Sequence, residues 1–244
     1  MKESIKTSMK VLEIGDKCRV CNEILIEKPP RGHLLPLAFN GYAIKSDNNK
    51  KPLRVLTNNN FFGASGGSIP FCQLWCHTCE KKFSIDNDFY NFFKKIDLIK
   101  CKNQSLKIDI NYDMVDKFIA SVLLRFHIDG RIDLDEAYED IKAFVMNGGK
   151  NEWIVSFLCI DPDLHNLSNS FSLPTKIKIS SSVFYDIILP KQLVLRAYFG
   201  KEDKSSLQND RKNHEICVRS TGYKSMAINA CYNNKDKIEK YLFN

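Results

Sequence analysis

The sequence predicts an α+β protein in two parts, and three observations carry that reading. Two cysteine pairs with the same spacing, Cys18–Cys21 and Cys76–Cys79, lie within the first hundred residues. Residues 113–146 repeat apolar side chains at helical spacing, and beyond Asn151 the pattern changes to short β-type runs. The expected architecture is a cysteine-bearing unit over residues 1–100, then residues 105–244 as a domain of two helices and an antiparallel sheet.

In the first unit, a two-residue spacer lets both sulfurs of a pair reach one tetrahedral zinc at about 2.3 Å. Two such pairs make a closed set, so Cys18, Cys21, Cys76 and Cys79 are predicted to hold one structural Zn²⁺. The segment from Glu80 to about Lys95 reads as a helix with Phe83, Phe89, Tyr90, Phe92 and Phe93 as its apolar members. A knuckle, then strands, then two ligands at a helix N-terminus is a treble-clef arrangement. Cys72 competes with Cys79 for the metal, but the spacing and the helix start favour Cys79. Short strands are expected at Lys10–Ile14, Ile24–Ile26 and Leu53–Leu56, and Phe71–Trp75 leads into the second pair. Gly63–Gly67 is a turn and not a phosphate loop, because no Gly-Lys-Ser/Thr follows it.

The boundary is placed at Cys101–Ser105, where apolar periodicity stops and restarts. Asp113 is positioned to cap a helix running to about His127, with Val115, Phe118, Ile119, Val122, Leu123 and Phe126 on one face. Leu134–Met146 reads as a second helix, with Asp135, Glu136, Glu139 and Asp140 outward and Gly148–Gly149 ending it. Strands follow at Trp153–Ile160, Lys176–Ile179, Val183–Leu189 and Leu193–Phe199, the last two joined by a hairpin-length link. Glu215–Arg219 reads as an edge strand and Asp236–Phe243 as a terminal helix.

Composition narrows the class. A hydrophobic share of 43% and a charged share of 27% are those of a globular chain. No apolar run approaches the ~18 residues of a membrane helix. The first ten residues lack the apolar stretch of a secretory signal, so nine cysteines are expected in the reducing cytoplasm, as thiols and metal ligands. Residues 1–104 hold 17 Lys+Arg against 10 Asp+Glu, whereas residues 105–244 hold 19 of each, so the net charge of +7 lies in the cysteine half. That asymmetry fits contact with a polyanion such as nucleic acid. Phe61, Phe62, Phe71 and Trp75 interleave with Lys81, Lys82, Lys94 and Lys95. The rings suit base stacking, though core packing is the commoner use. His127, His165 and His214 lack ligand-spaced partners and read as structural.

The order Cys18-x-x-Cys21, His33-x-x-Pro36, then Cys76-x-x-Cys79 opening a helix with a nearby aspartate resembles the zinc-bearing branch of the HNH (His-Me finger) endonucleases. The match covers residues 10–95. It implies an HNH-like ββα unit laid over the treble clef and a metal-dependent endonuclease hydrolysing phosphodiesters. His33 would be the general base, and Asp86 would fall where some members place a ligand for catalytic Mg²⁺ or Mn²⁺. DNA would be the substrate in preference to RNA, in a bacterial or phage setting of restriction, defence or mobile elements. Two departures stand out. Gly32 occupies the position of an acidic metal ligand, and Glu80 replaces an asparagine that supports the histidine. Glu27, His77, Glu80, Asp86 or Asp88 would then have to supply the missing ligand. The alternative is a catalytically inactive zinc module that binds nucleic acid or a partner protein, with residues 105–244 as a further partner surface.

Overall fold

The computed structural model describes residues 11–36, 38–39, 54–56, 61–63, 71–83, 85–95, 111–149, 153–159, 170–172, 174–179, 182–190 and 193–199. The 101–105 boundary, the 215–219 strand, the 236–243 helix and His165 and His214 fall outside these residues. Among the described residues the fold is α+β, and no helix is long and apolar enough to cross a membrane.

The N-terminal part is built from short pieces. Strand β1 (Gly32–His33) pairs antiparallel with β4 (Phe71–Cys72), in the register Gly32↔Cys72 and His33↔Phe71. The strand expected over Lys10–Ile14 reduces to an isolated parallel bridge, Val11↔Gln73. The backbone turns immediately afterwards, with Glu13 N–H donating to the Asp16 carboxylate at 2.8 Å. Ile24–Ile26 likewise contributes one bridge, Lys17↔Ile24.

The helix expected over 80–95 is two helices, α1 (His77–Lys82) and α2 (Asp86–Lys95). The break has a packing reason. Phe83 leaves the first helix to meet Trp75 edge-on, ring centres 5.0 Å apart, and the second helix starts at Asp86.

Helix α3 (Tyr112–Ile128) is capped by Asn111, not Asp113: the Asn111 side chain accepts from Met114 N–H at 3.2 Å. Asp113 lies inside the first turn and pairs instead with Lys117 at 2.7 Å. The sequence pattern assigned α3 one apolar face, but the helix is buried almost all round from Val115 to Phe126. On one side it meets α2, with the Phe89 and Phe118 rings stacked at 3.8 Å and Phe39 packed against both. On the other it meets α4 (Tyr138–Asn147), which a 3₁₀ turn at Asp135–Ala137 precedes. Gly148, at φ +73°, ends α4 and returns its N–H to Phe144 O.

The C-terminal sheet is antiparallel, in the order β5 (Ile154–Cys159), β9 (Leu193–Phe199), β8 (Ser182–Leu189), β7 (Thr175–Ile179). One face carries Val155, Tyr185, Ile187, Leu195 and Ala197 into the same core as α3 and α4. The Tyr185 hydroxyl donates to Asp133 O at 2.9 Å, fastening the sheet to the α3–α4 connection. On the opposite face the cross-strand neighbours Asp186 and Arg196 form a two-pronged pair at 2.7 Å each. A second sheet joins β2 (Arg54–Leu56) antiparallel to β3 (Phe61–Gly63) and parallel to β6 (Ser170–Ser172). The two halves of the chain therefore share both a sheet and an aromatic core.

Candidate metal centre

The first cysteine pair sits in a tight turn held by backbone hydrogen bonds. Cys18 N–H donates to Glu23 O at 2.8 Å, and Asn22 N–H returns to Cys18 O at 2.9 Å. Asn22 closes this turn at φ +63°, a left-handed conformation that asparagine tolerates better than most residues. The second pair opens α1, with Cys76 extended as its first flanking residue and Glu80 N–H donating to Cys76 O at 3.0 Å. Two backbone bonds hold the knuckles together, Arg19 N–H to Leu74 O and Leu12 N–H to Gln73 O, both 2.9 Å.

The Sγ atoms of Cys18, Cys21, Cys76 and Cys79 all lie within 4.8 Å of one another. The contacts across the knuckles, Cys18–Cys79 and Cys21–Cys76, are each 3.8 Å. A tetrahedron with metal–sulfur bonds of 2.3 Å has edges of about 3.8 Å, so four cysteines are placed to hold a metal ion such as zinc. Among the described residues this is the one group of three or more His, Cys, Asp or Glu side chains whose ligand atoms converge.

Contact with Cys79 holds Cys18 down at about 4, and the same contact, reinforced by burial, pushes Cys79 well above the ordinary thiol range. Burial raises Cys21 to about 11. Without a cation the sulfurs share protons, and a divalent ion is what lets all four ionise together.

Cys72, the rival ligand, is outside the group. It is buried on β4, and burial pushes its thiol up to about 12. The folded state therefore keeps a proton that the unfolded chain loses from about pH 9, the ordinary thiol value. Stability tied to Cys72 is present below that pH and is lost as pH rises towards 12. Cys72→Val is expected to flatten the fall in urea stability between pH 8 and 11, and identical slopes in the two proteins would refute this.

The residues expected to be catalytic are brought near one another, through Arg125. This arginine, buried on α3, reaches both Asp86 carboxylate oxygens at 2.8 and 2.9 Å and donates to the backbone oxygen of His33 at 2.8 Å. The Asp86 carboxylate is thus occupied by a guanidinium fork. Half-buried His33 is held by its backbone on β1. The candidate substitutes are engaged as well. Glu80 accepts from the Trp75 indole N–H, and His77 lies 3.2 Å from Lys28 O and 4.0 Å from Glu27. Asp88 is exposed.

Gly32 has a steric explanation. A Cβ built there would overlap the Trp75 indole, with Cε2 only 2.6 Å away, so no acidic side chain fits this position. Gly32→Ala is expected to cost about 1–3 kcal/mol in chemical unfolding. Trp75→Leu in the same chain would relieve the clash, and an unchanged midpoint for Gly32→Ala alone would show that the contact is not tight. Arg125 itself was absent from the sequence reading. Its signal was an arginine between Leu124 and Phe126 on a strongly apolar helix.

The segments around the two cysteine pairs are less basic than their half of the chain. Residues 11–36 and 71–95 carry eight Lys+Arg and seven Asp+Glu, while residues 1–10, 40–54 and 96–104 carry nine against three. The finger instead exposes Val11, Ile14, Ile24 and Ile26, the last 89% accessible.

In comparisons with known proteins, no family model matches the chain, and neither a curated protein nor a solved structure does.

Proposed function

We propose that the protein is a catalytically silent binding module whose treble-clef-like finger is held by one structural zinc. The Asp86–Arg125 pairing carries this reading. An HNH-like nuclease needs a divalent ion beside its histidine, to stabilise the charge that develops on the phosphate. Here the aspartate is bound by a guanidinium, the preceding position is closed to an acid by Trp75, and Glu80 is taken by an indole. What remains of the HNH-like pattern is its structural half. Four thiolates leave no open coordination position, so the zinc would stabilise and would not activate water.

Supercoiled plasmid and single-stranded RNA, incubated with zinc-loaded protein and Mg²⁺ or Mn²⁺, are expected to stay intact. Cutting that needs the added ion and disappears in His33→Ala would overturn the proposal in favour of the endonuclease.

The net charge of +7 supports nucleic acid as the target, reached through the lysine-rich segments flanking the finger. Replacing Lys50, Lys51, Lys100 and Lys102 by glutamine is expected to lower the salt dependence of DNA binding. Replacing Lys81 and Lys82 would leave it nearly unchanged. A second reading, a protein partner, is favoured by the exposed isoleucines at 14, 24 and 26. Salt-independent or absent DNA binding would select it.

A further inference from the structure

The four sulfurs are not equivalent. Cys18 and Cys79 are sealed in the core, at 0% and 1% exposure, whereas Cys21 and Cys76 are half-exposed and face each other at 3.8 Å. Their surroundings differ too. Cys18 Sγ accepts the Cys76 backbone N–H at 3.3 Å, a bond that withdraws electron density from a thiolate. Cys21 Sγ has the Glu23 carboxylate 3.8 Å away and a backbone hydrogen bond from Glu23. Accessibility is what singles out the Cys21–Cys76 pair.

We propose that Cys21 and Cys76 form a peroxide-sensitive site, whose oxidation to a disulfide between the knuckles releases the metal. The proposal rests on the zinc reading above. Zinc keeps the sulfurs as thiolates, the form that reacts with peroxides. The Cys21 thiolate attacks one oxygen of hydrogen peroxide, the O–O bond breaks, and hydroxide leaves a sulfenic acid behind. The Cys76 thiolate then attacks that sulfur, forming the S–S bond and expelling a second hydroxide. Two electrons have passed from sulfur to peroxide, and two protons from solvent turn both hydroxides into water. Zinc is left with Cys18 and Cys79 alone, too few ligands to retain it.

The bond so formed has a structural consequence. It joins the two knuckles in place of the metal, so the seam made by the Arg19–Leu74 and Leu12–Gln73 hydrogen bonds stays closed after zinc leaves. Oxidation within one knuckle, by contrast, would leave the two free to separate.

The test uses full-length protein carrying one zinc per chain. Hydrogen peroxide is titrated in while a chromogenic chelator reads zinc release, remaining thiols are alkylated, and tryptic peptides are mapped. Trypsin cuts after Arg19, so Cys18 and Cys21 fall in different peptides. The expected result is zinc release in step with a cross-link from the peptide Val20–Arg31 to Cys76, with Cys18 and Cys79 still alkylatable. Retention of zinc at peroxide levels that oxidise a free thiol would overturn the proposal. So would a first disulfide joining Cys18 to Cys79 or closing within one knuckle. A chain that takes up no zinc at all would remove the zinc reading together with this one, and the starting metal content separates the two failures.

Discussion

Cys79→Ser is expected to abolish metal binding and to unfold the finger. Structural zinc sites contribute apparent binding free energies of about 10–16 kcal/mol near neutral pH, comparable to the whole stability of a typical domain at about 5–15 kcal/mol. The N-terminal unit has little else to hold it. Among the described residues, the pieces around the four cysteines are a two-residue strand pair, two isolated bridges and a six-residue helix. The damage should also spread, because Phe39, Phe89 and Phe93 share a core with Phe118 of α3. Metal content and the thermal midpoint of the variant measure this, with Cys72→Ser as the control that should keep its zinc. A Cys79→Ser protein with one zinc and an unchanged midpoint would mean that the tetrad is not the metal site.

Arg125→Ala is expected to destabilise the protein by about 3–5 kcal/mol, the usual cost of removing one partner from a buried ion pair. Arg125 is 3% exposed and Asp86 22% exposed by side chain, so the stranded carboxylate gains only part of its hydration back. The same change strips the donor from His33 O and the cation lying 5.8 Å over the Phe83 ring. Replacing Arg125 by methionine and Asp86 by leucine together should recover much of the loss, because no unpaired charge remains. Urea unfolding of both single variants and the double variant gives the coupling. Additive effects would show that the fork is not an energetic unit, and would reopen Asp86 as a free carboxylate.

These two expectations come from different depths of legibility. The cysteine tetrad was visible in the sequence because each knuckle is local: two residues between sulfurs fix the chelate, whatever surrounds it. The β8–β9 hairpin was visible for the same reason, since Leu189 and Leu193 pair across a three-residue link. Helix α3 was found, but not its place at the centre. A sequence window sees a helix's pattern and not how many neighbours cover it.

The contacts that bear on function are tertiary throughout. Asp86 and Arg125 are 39 positions apart, and Gly32 and Trp75 meet only after β1 and β4 pair. No spacing rule links these residues, so the pairing of Asp86 with Arg125 and the closure of position 32 by Trp75 could not be read from the sequence. The early break between α1 and α2 has the same origin, because Phe83 is drawn to Trp75 by packing that the helical pattern of 80–95 does not record.

We propose that this chain carries one closed, all-sulfur structural metal site and no second, catalytic one. The most direct measurement is X-ray absorption at the zinc edge, on protein purified without chelators and dialysed against excess Mn²⁺, with total metal counted by mass spectrometry. The account predicts one zinc per chain, four sulfur neighbours at about 2.3 Å, and no manganese retained. Nitrogen or oxygen in the zinc shell, or a manganese ion held stoichiometrically and lost in His33→Ala, would contradict it.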